Sequence, residues 1–373
     1  MAMEKINTNL KMKSIKFLFL LLLVTNGIAA QSNKNLAVIA YYTGDDKLIN
    51  EFEINKLTHI IYSFCHLKEG KLNVDTAKDS LTIKYLVSLK AKNPQLKIML
   101  SLGGWGGCAP CSDVFSTVKG RAVFAKSVQE VNTYFKCDGI DLDWEYPTIE
   151  GVPGHLYQQA DKKNFTELIK ILRKTLGNKN ELSFAAGGFQ KYLDESVEWK
   201  KIMPLVDRVN IMSYDLVNGY SKVTGHHTPL FSTKKDEEST DKAVSYLLKL
   251  GIPAKKLVIG AAFYTRIWKE VSNINNGLYQ SGEPTGGVNF KKYTTSFTAV
   301  DGWKYFWDKK AKAPYWYNEK LKLFATGDDI ASVKAKTSYA IQKKLGGIMF
   351  WELVLDSPRN GMLDAIDQIK IAK

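Results

Sequence analysis

The nine residues DGIDLDWEY, positions 138–146, decide how the chain is read, because three aspartates and a glutamate share a stretch that also carries Ile140, Leu142 and Trp144. In an extended strand, side chains alternate between faces, so Asp141, Asp143 and Glu145 point one way and the three apolar residues the other. A helix would place Asp143 away from Asp141 and Glu145 and scatter the apolar set. The strand reading yields one apolar face fit to pack against helices and one acidic face lining the inside of a closed sheet.

Seven further β-rich runs surround this one: LAVIAYY from Leu36, HIIYSF from His59, KIMLSLGG from Lys97, LSFAAGG from Leu182, RVNIMSYD from Arg208, LVIGAAFY from Leu257 and GIMFWEL from Gly347. With GIDLDWEY from Gly139 they make eight. Amphipathic helical stretches separate most of them, over residues 113–135, 161–176, 236–250 and 328–345. Strand alternating with helix in this way predicts an α/β fold, a parallel (β/α)8 TIM barrel. The helix period fails between the seventh and eighth strands, where Trp268, Tyr279, Trp303, Trp307, Trp316 and Tyr317 cluster. Residues 265–327 are therefore expected to form a small inserted α+β subdomain. Two separate α/β domains are the alternative, but no break in composition divides the chain.

A chain of 373 residues with 45% hydrophobic and 24% charged positions can bury a large core, which argues against disorder. Its N-terminus carries Lys11, Lys13 and Lys16, an apolar run over 17–24, and small residues at Gly27, Ala29 and Ala30. That order reads as a secretory signal peptide over residues 1–30, leaving a mature chain of 31–373 that is secreted or periplasmic. The apolar run is too short to cross a bilayer comfortably, so no stable membrane insertion is expected. The formal net charge is +14, yet the lysines are scattered, which favours a solvated basic surface over a nucleic-acid face. Among four cysteines, Cys108 and Cys111 can close a small disulfide in an exported chain, while Cys65 and Cys137 sit in apolar runs as free thiols. None of the five histidines falls in a ligand-like spacing with the acids, so neither metal nor cofactor is expected. A monomer is expected.

Three carboxylates stacked inside a barrel cannot all be ionised cheaply, since burial and like-charge neighbours both disfavour charge. At least one should hold a proton near neutrality. Glu145 lies nearest the C-terminal end of its strand, the face on which barrels of this kind place chemistry, and is the candidate general acid. Asp143, one step deeper, is expected to share a proton with Asp141 and to hydrogen-bond upward to a substrate. A single inward aspartate would more often be a satisfied core group, but an ordered run ending at the strand mouth favours catalysis.

The pattern D-G-x-D-x-D-x-E, here Asp138, Gly139, Asp141, Asp143 and Glu145, resembles the signature of glycoside hydrolase family 18, the chitinase family. Supporting matches are SLGGW (101–105), MSYD (212–215), FYTR (263–266) and MFWEL (349–353), and the aromatic-rich segment resembles the chitinase insertion subdomain. The resemblance implies a retaining hydrolase of β-1,4 links between N-acetylglucosamine units, with chitin and chitooligosaccharides as its partners. In that family the substrate assists. Glu145 would protonate the glycosidic oxygen while the carbonyl oxygen of the substrate's 2-acetamido group attacks the anomeric carbon, and Glu145 would then serve as base for water.

By the same resemblance Asp143 would bond the acetamido N–H, with Asp141 as its proton-sharing partner, and Tyr214 would hold the acetamido carbonyl. Trp351 would form the floor under the sugar and Asp215 would contact it. Met212, Tyr264, Arg266, Trp105, Tyr41 and Phe64 complete the expected substrate-binding set. Arg266 is read as reaching either the substrate or an acid in the insertion. Trp105, Trp268 and Trp316 are read as outer subsites or subdomain core, and His226 and His227 as loop residues at the cleft mouth. Asp138 is expected to fix the start of its strand, with Ser101, Gly103 and Gly104 supporting it. Thr265 stands where many members carry glycine, which puts the local backbone in question. Two other functions compete: a chitin-binding lectin, which would be expected to lack the acid, and a hydrolase of other N-acetylglucosaminides such as the N-glycan core or peptidoglycan.

Overall fold

All eight runs form strands, and they pair in parallel around a closed ring. The structure, a computed structural model, describes residues 36–372 besides Met1, so the signal-peptide reading of residues 1–30 lies outside the described residues. In chain order the strands are β1 (Ala37–Tyr42), β2 (His59–Lys68), β3 (Lys71–Asn73), β4 (Lys97–Gly103), β5 (Gly139–Asp143), β6 (Glu181–Gly187), β7 (Arg208–Met212) and β8 (Leu257–Ala262). They continue with β9 (Thr265–Lys269), β10 (Glu283–Gly286), β11 (Trp303–Asp308), β12 (Ala313–Asn318), β13 (Leu323–Gly327) and β14 (Gly347–Trp351). The barrel runs β1-β14-β8-β7-β6-β5-β4-β2 and closes where β2 pairs again with β1, from Ile39 opposite His59 to Tyr42 opposite Tyr62. β3 only extends β2 as an antiparallel hairpin.

A strand buried on both faces reads as a continuous apolar run, and β4, β6 and β8 are buried along almost their whole length. β5 differs because its inner face is acidic. Ile140, Leu142 and Trp144 join the outer core, where Trp144 packs against Phe115 and Phe165 at 5.7 and 6.2 Å between ring centres. Each such side chain contributes roughly 1.5–3 kcal/mol by leaving water. The sheet ladder stops at Gly103 opposite Asp143, so the strand ends at Asp143 rather than continuing through Tyr146. Trp144, Glu145 and Tyr146 thus rise from the sheet at its C-terminal mouth. At the other end, Asp138 anchors the strand, pairing with Lys90 at 2.8 Å and accepting from the Ile98 N–H at 2.8 Å.

The helix expected over 161–176 forms as Asp161–Leu176. That expected over 113–135 is two helices, Cys111–Ser116 and Val118–Phe135, because Thr117 is extended and its hydroxyl accepts from the Gly120 N–H, restarting the helix with a cap. The third begins only at Thr240, capped by Ser239, and the fourth is Ile330–Gln342, opened by a capping box at Asp329. Behind the barrel mouth, Lys336 of that last helix forms a fully buried ion pair with Asp328 at 2.7 Å, and Asp328 also accepts from the Ala262 N–H on β8.

Between β8 and β14 the strands β10-β9-β13-β12-β11 make a five-stranded antiparallel sheet, with one short helix at Tyr293–Ser296. Trp268, Val271, Leu278, Tyr315, Tyr317 and Phe324 pack together on it. Trp316 is also buried and stacks on Phe297 at 4.9 Å. Trp268 and Trp316 are therefore core residues and not outer subsites. Cys108 and Cys111 are bonded, with their Cα atoms 5.2 Å apart, while Cys65 and Cys137 are buried free thiols. Burial pushes the Cys137 thiol up to about 12. Among the described residues no helix is long and apolar enough to cross a membrane.

Candidate active site

At the C-terminal mouth of β5 the acidic face becomes a column of three carboxyl groups in unlike surroundings. Asp141, fully buried, accepts four hydrogen bonds: from Tyr41 at 2.8 Å, Ser101 at 3.2 Å, Ser183 at 2.6 Å and Asn210 at 3.0 Å. A carboxylate has about four lone-pair sites, so this one is saturated. Asp143 is also buried, and its Oδ1 has no hydrogen-bond partner. Burial first, then the nearby charges of Glu145 and Asp141, holds its carboxyl well above the usual range. Burial raises the Asp141 carboxyl as well, but there its four hydrogen-bond donors pull the other way, an opposition Asp143 lacks.

Glu145 lies two residues beyond the strand, half-buried, with its pKa raised to about 7. Burial is the main cause and the charge of Asp215 adds to it, while a hydrogen bond from Tyr146 pulls the other way. Because the folded value lies above the ordinary 4.5, the folded chain keeps a proton there that the unfolded chain has lost, and stability falls as pH rises from 4.5 through about 7. Glu145→Gln removes that titration. The variant should melt above the wild type at pH 8 and level with it at pH 4, and thermal melts at the two pH values check this. Equal melting at pH 8 would contradict a burial-raised carboxyl.

Trp351, at the end of β14, stacks on Phe64 at 5.5 Å between ring centres with the planes 17° apart, and lies 5.9 Å from Tyr41. Beneath it a small inner cluster of Ile39, Ile61, Met99, Ala185, Met212, Val258 and Met349 fills the barrel. Glu352 clamps this floor to the residue just past β1 by accepting from the Thr43 N–H at 3.0 Å and the Thr43 hydroxyl at 2.6 Å. Tyr214 packs against the same cluster, and a Cβ at Gly260 would sit 2.8 Å from its ring, so only glycine leaves it room. Tyr41 is 1% exposed with its hydroxyl committed to Asp141, and Met212 is buried in the inner cluster.

Asp215 is the centre of a second cluster. Arg266 grips it with two bonds, Nε to Oδ1 at 2.6 Å and Nη2 to Oδ2 at 2.7 Å, and the Tyr264 hydroxyl donates to Oδ2 at 2.8 Å. Against its burial, Arg266 and the nearby His227 hold the Asp215 carboxyl well below the usual range. Arg266 thus pairs with Asp215 and not with an acid of the insertion, and buried Tyr264 donates to the same carboxylate. Thr265 opens β9 with its hydroxyl accepting from the Val288 N–H at 3.0 Å, so its backbone fits without glycine.

Trp105 is 50% exposed and stands 6.4 Å from Tyr146 and 6.3 Å from Tyr220, which is 62% exposed. Tyr220 was missed by motif reading, and its signal was no more than an aromatic in the NGYS turn after MSYD. Ser183, Asn210 and Glu352 were missed as well. Ser183 and Asn210 could have been found as polar residues on the inward-facing positions of their strands. Among the described residues no group of three or more histidine, cysteine or acidic side chains could hold a metal ion.

A closed parallel barrel that sets a high-pKa carboxyl over two buried aspartates, beside an aromatic floor, belongs to the class of barrel glycoside hydrolases. The chain belongs to glycosyl hydrolases family 18, whose family model matches residues 37–356. Chitinase A1 of Niallia circulans is 35% identical over 295 residues, which cover 73% of this chain and 42% of that relative. The chain therefore spans less than half the length of that protein. Chitotriosidase-1 of Mus musculus is 32% identical over 323 residues, covering 81% of this chain and 68% of the relative. A solved structure of a glycoside hydrolase family 18 N-acetylglucosaminidase from Paenibacillus barengoltzii aligns with a TM-score of 0.82 and 36% identity, covering 90% of this chain and 99% of that one.

Proposed function

We propose that this chain is a secreted chitinase that hydrolyses β-1,4 links between N-acetylglucosamine units with retention of configuration. The observation that carries the reading is the carboxylate column: a half-buried Glu145 titrating near 7 above an Asp143 that keeps its proton. Glu145 donates its proton to the glycosidic oxygen as the C–O bond breaks. The acetamido carbonyl oxygen of the sugar attacks the anomeric carbon to give an oxazolinium, and Glu145, now a carboxylate, takes a proton from the water that opens it. Asp143 hydrogen-bonds the acetamido N–H, the charge of Asp141 below it raises its proton affinity, and Tyr214 holds the acetamido oxygen. Trp351 supports the sugar ring from below.

Chitin and its oligomers are the proposed partners, with no nucleic acid, no cofactor and a monomeric chain. Residues 1–30 are the proposed export signal. The mechanism needs an N-acetyl group at the cleavage point, so an N-acetylglucosamine tetramer should be turned over and the deacetylated tetramer left intact. Preferential release of sugar from a glycopeptide over the tetramer would overturn the substrate assignment. The near-complete coverage of the N-acetylglucosaminidase structure favours a second reading, removal of single units from a chain end. Product lengths separate the two, since early dimer marks internal or paired-unit cleavage and early monomer with trimer marks single-unit removal.

A further inference from the structure

The adjacent histidines His226 and His227 are both buried and face opposite ways. His226 directs its Nε2 to Asp308 on β11 at 3.1 Å. His227 turns to the barrel rim, where its Nδ1 accepts from the backbone N–H of Asp215 at 3.2 Å, with Asp215 Oδ1 3.5 Å away, and its Nε2 lies 3.3 Å from the carbonyl oxygen of Tyr264. An accepting Nδ1 in a neutral imidazole leaves the ring proton on Nε2, which donates to that carbonyl, so one tautomer satisfies both bonds. The Leu216 N–H donates to the His227 carbonyl oxygen at 3.0 Å, so two consecutive backbone amides are held by this one residue.

Asp215 needs such a hold. Its φ is +53°, in the left-handed region that a non-glycine residue keeps only where its surroundings impose it. The bond to His227 also supplies an acceptor for a part-buried N–H that would otherwise go unpaired. The ring of His227 lies 5.3 Å from that of Tyr264, whose hydroxyl meets Asp215 from the other side. The ends of β7 and β8 are thus tied through a single imidazole, beside Arg266 and the carboxylate it grips.

We propose that His227 is the positioning residue of the Asp215 cluster, fixing through its Nδ1 the backbone turn that aims the Asp215 carboxylate between Tyr264, Arg266 and the cleft. The inference rests on the hydrolase reading above, because it places Asp215 at the substrate. An asparagine amide overlays the Nδ1 edge of the ring and can accept from the Asp215 N–H. A glutamine amide reaches the Nε2 position and restores only the Tyr264 bond, and leucine restores neither. The test compares wild type, His227→Asn, His227→Gln and His227→Leu on the N-acetylglucosamine tetramer, each assayed below its own measured Tm.

The asparagine variant should keep kcat within about threefold, while the glutamine and leucine variants lose about tenfold or more, with KM moving less than kcat. Folded variants that all keep wild-type kcat, even with lowered Tm, overturn the inference and leave the hydrolase reading standing. An asparagine variant as impaired as glutamine also overturns it, and that pair decides the matter if the leucine variant does not fold. An inactive wild type overturns the functional reading instead. A crystal structure of His227→Gln then decides the positioning role: a displaced Asp215 backbone supports it, and an unchanged turn overturns it.

Discussion

Glu145→Gln is expected to lower turnover of the N-acetylglucosamine tetramer by about 10²–10⁴-fold while the fold stays intact, because the amide keeps the shape of the side chain and cannot deliver a proton. Release of reducing ends measures the loss, and circular dichroism verifies the fold. The wild type carries a matching pH signature. A general acid must be protonated to act, so with its pKa near 7 the rate should fall as pH rises through about 7, where Glu145 gives up its proton to solvent. Turnover by the variant within a few-fold of wild type would remove Glu145 from the role of acid.

Asp143→Asn should also be severe, by about 10²-fold or more, for a different reason. Burial raises the proton affinity of the Asp143 carboxyl and its Oδ1 has no partner, a group poised to meet the acetamido N–H. An amide alters how that side chain presents its donor and acceptor, and in the account above the acetamido group is the nucleophile. Because burial and the neighbouring acids push the Asp143 carboxyl well above the usual range, the substitution should leave the alkaline limb of the pH profile near 7 while lowering its height. A limb displaced by more than about one unit would mean that Asp143 carries charge beside Glu145. An unchanged rate would argue against assistance by the substrate.

The barrel was legible because its signals are local. Alternation in residues 139–143 separates an acidic face from an apolar one, and each other strand is a short apolar run that neighbouring strands complete. The breaks were less legible. The helix pause at Thr117 comes from a side-chain cap that overrides an amphipathic pattern running through it, and β5 stops where its ladder partner Gly103 stops. Neither depends on a periodicity.

In the site, the order of the three acids along the strand was readable from spacing, but their unlike proton affinities come from groups far away in sequence. Asp141 is saturated by donors on β1, β4, β6 and β7, 40 to 100 residues distant. Tyr41 faces inward as alternation requires, yet its hydroxyl bonds Asp141, a hundred residues away, which no local pattern announces. Arg266 illustrates the same point, because its partner Asp215 lies 51 positions earlier across a loop whose path no local pattern announces.

In the proposed reaction the sugar's own acetamido group displaces the leaving group, with Glu145 as the proton carrier. Proton NMR of the chain mixed with the N-acetylglucosamine tetramer, followed from the first minutes, tests it most directly. The β-anomer should appear first and drift to the equilibrium mixture only later, and Glu145→Gln should produce neither. First appearance of the α-anomer would contradict it, since inversion requires direct attack by water and leaves no place for the acetamido oxygen.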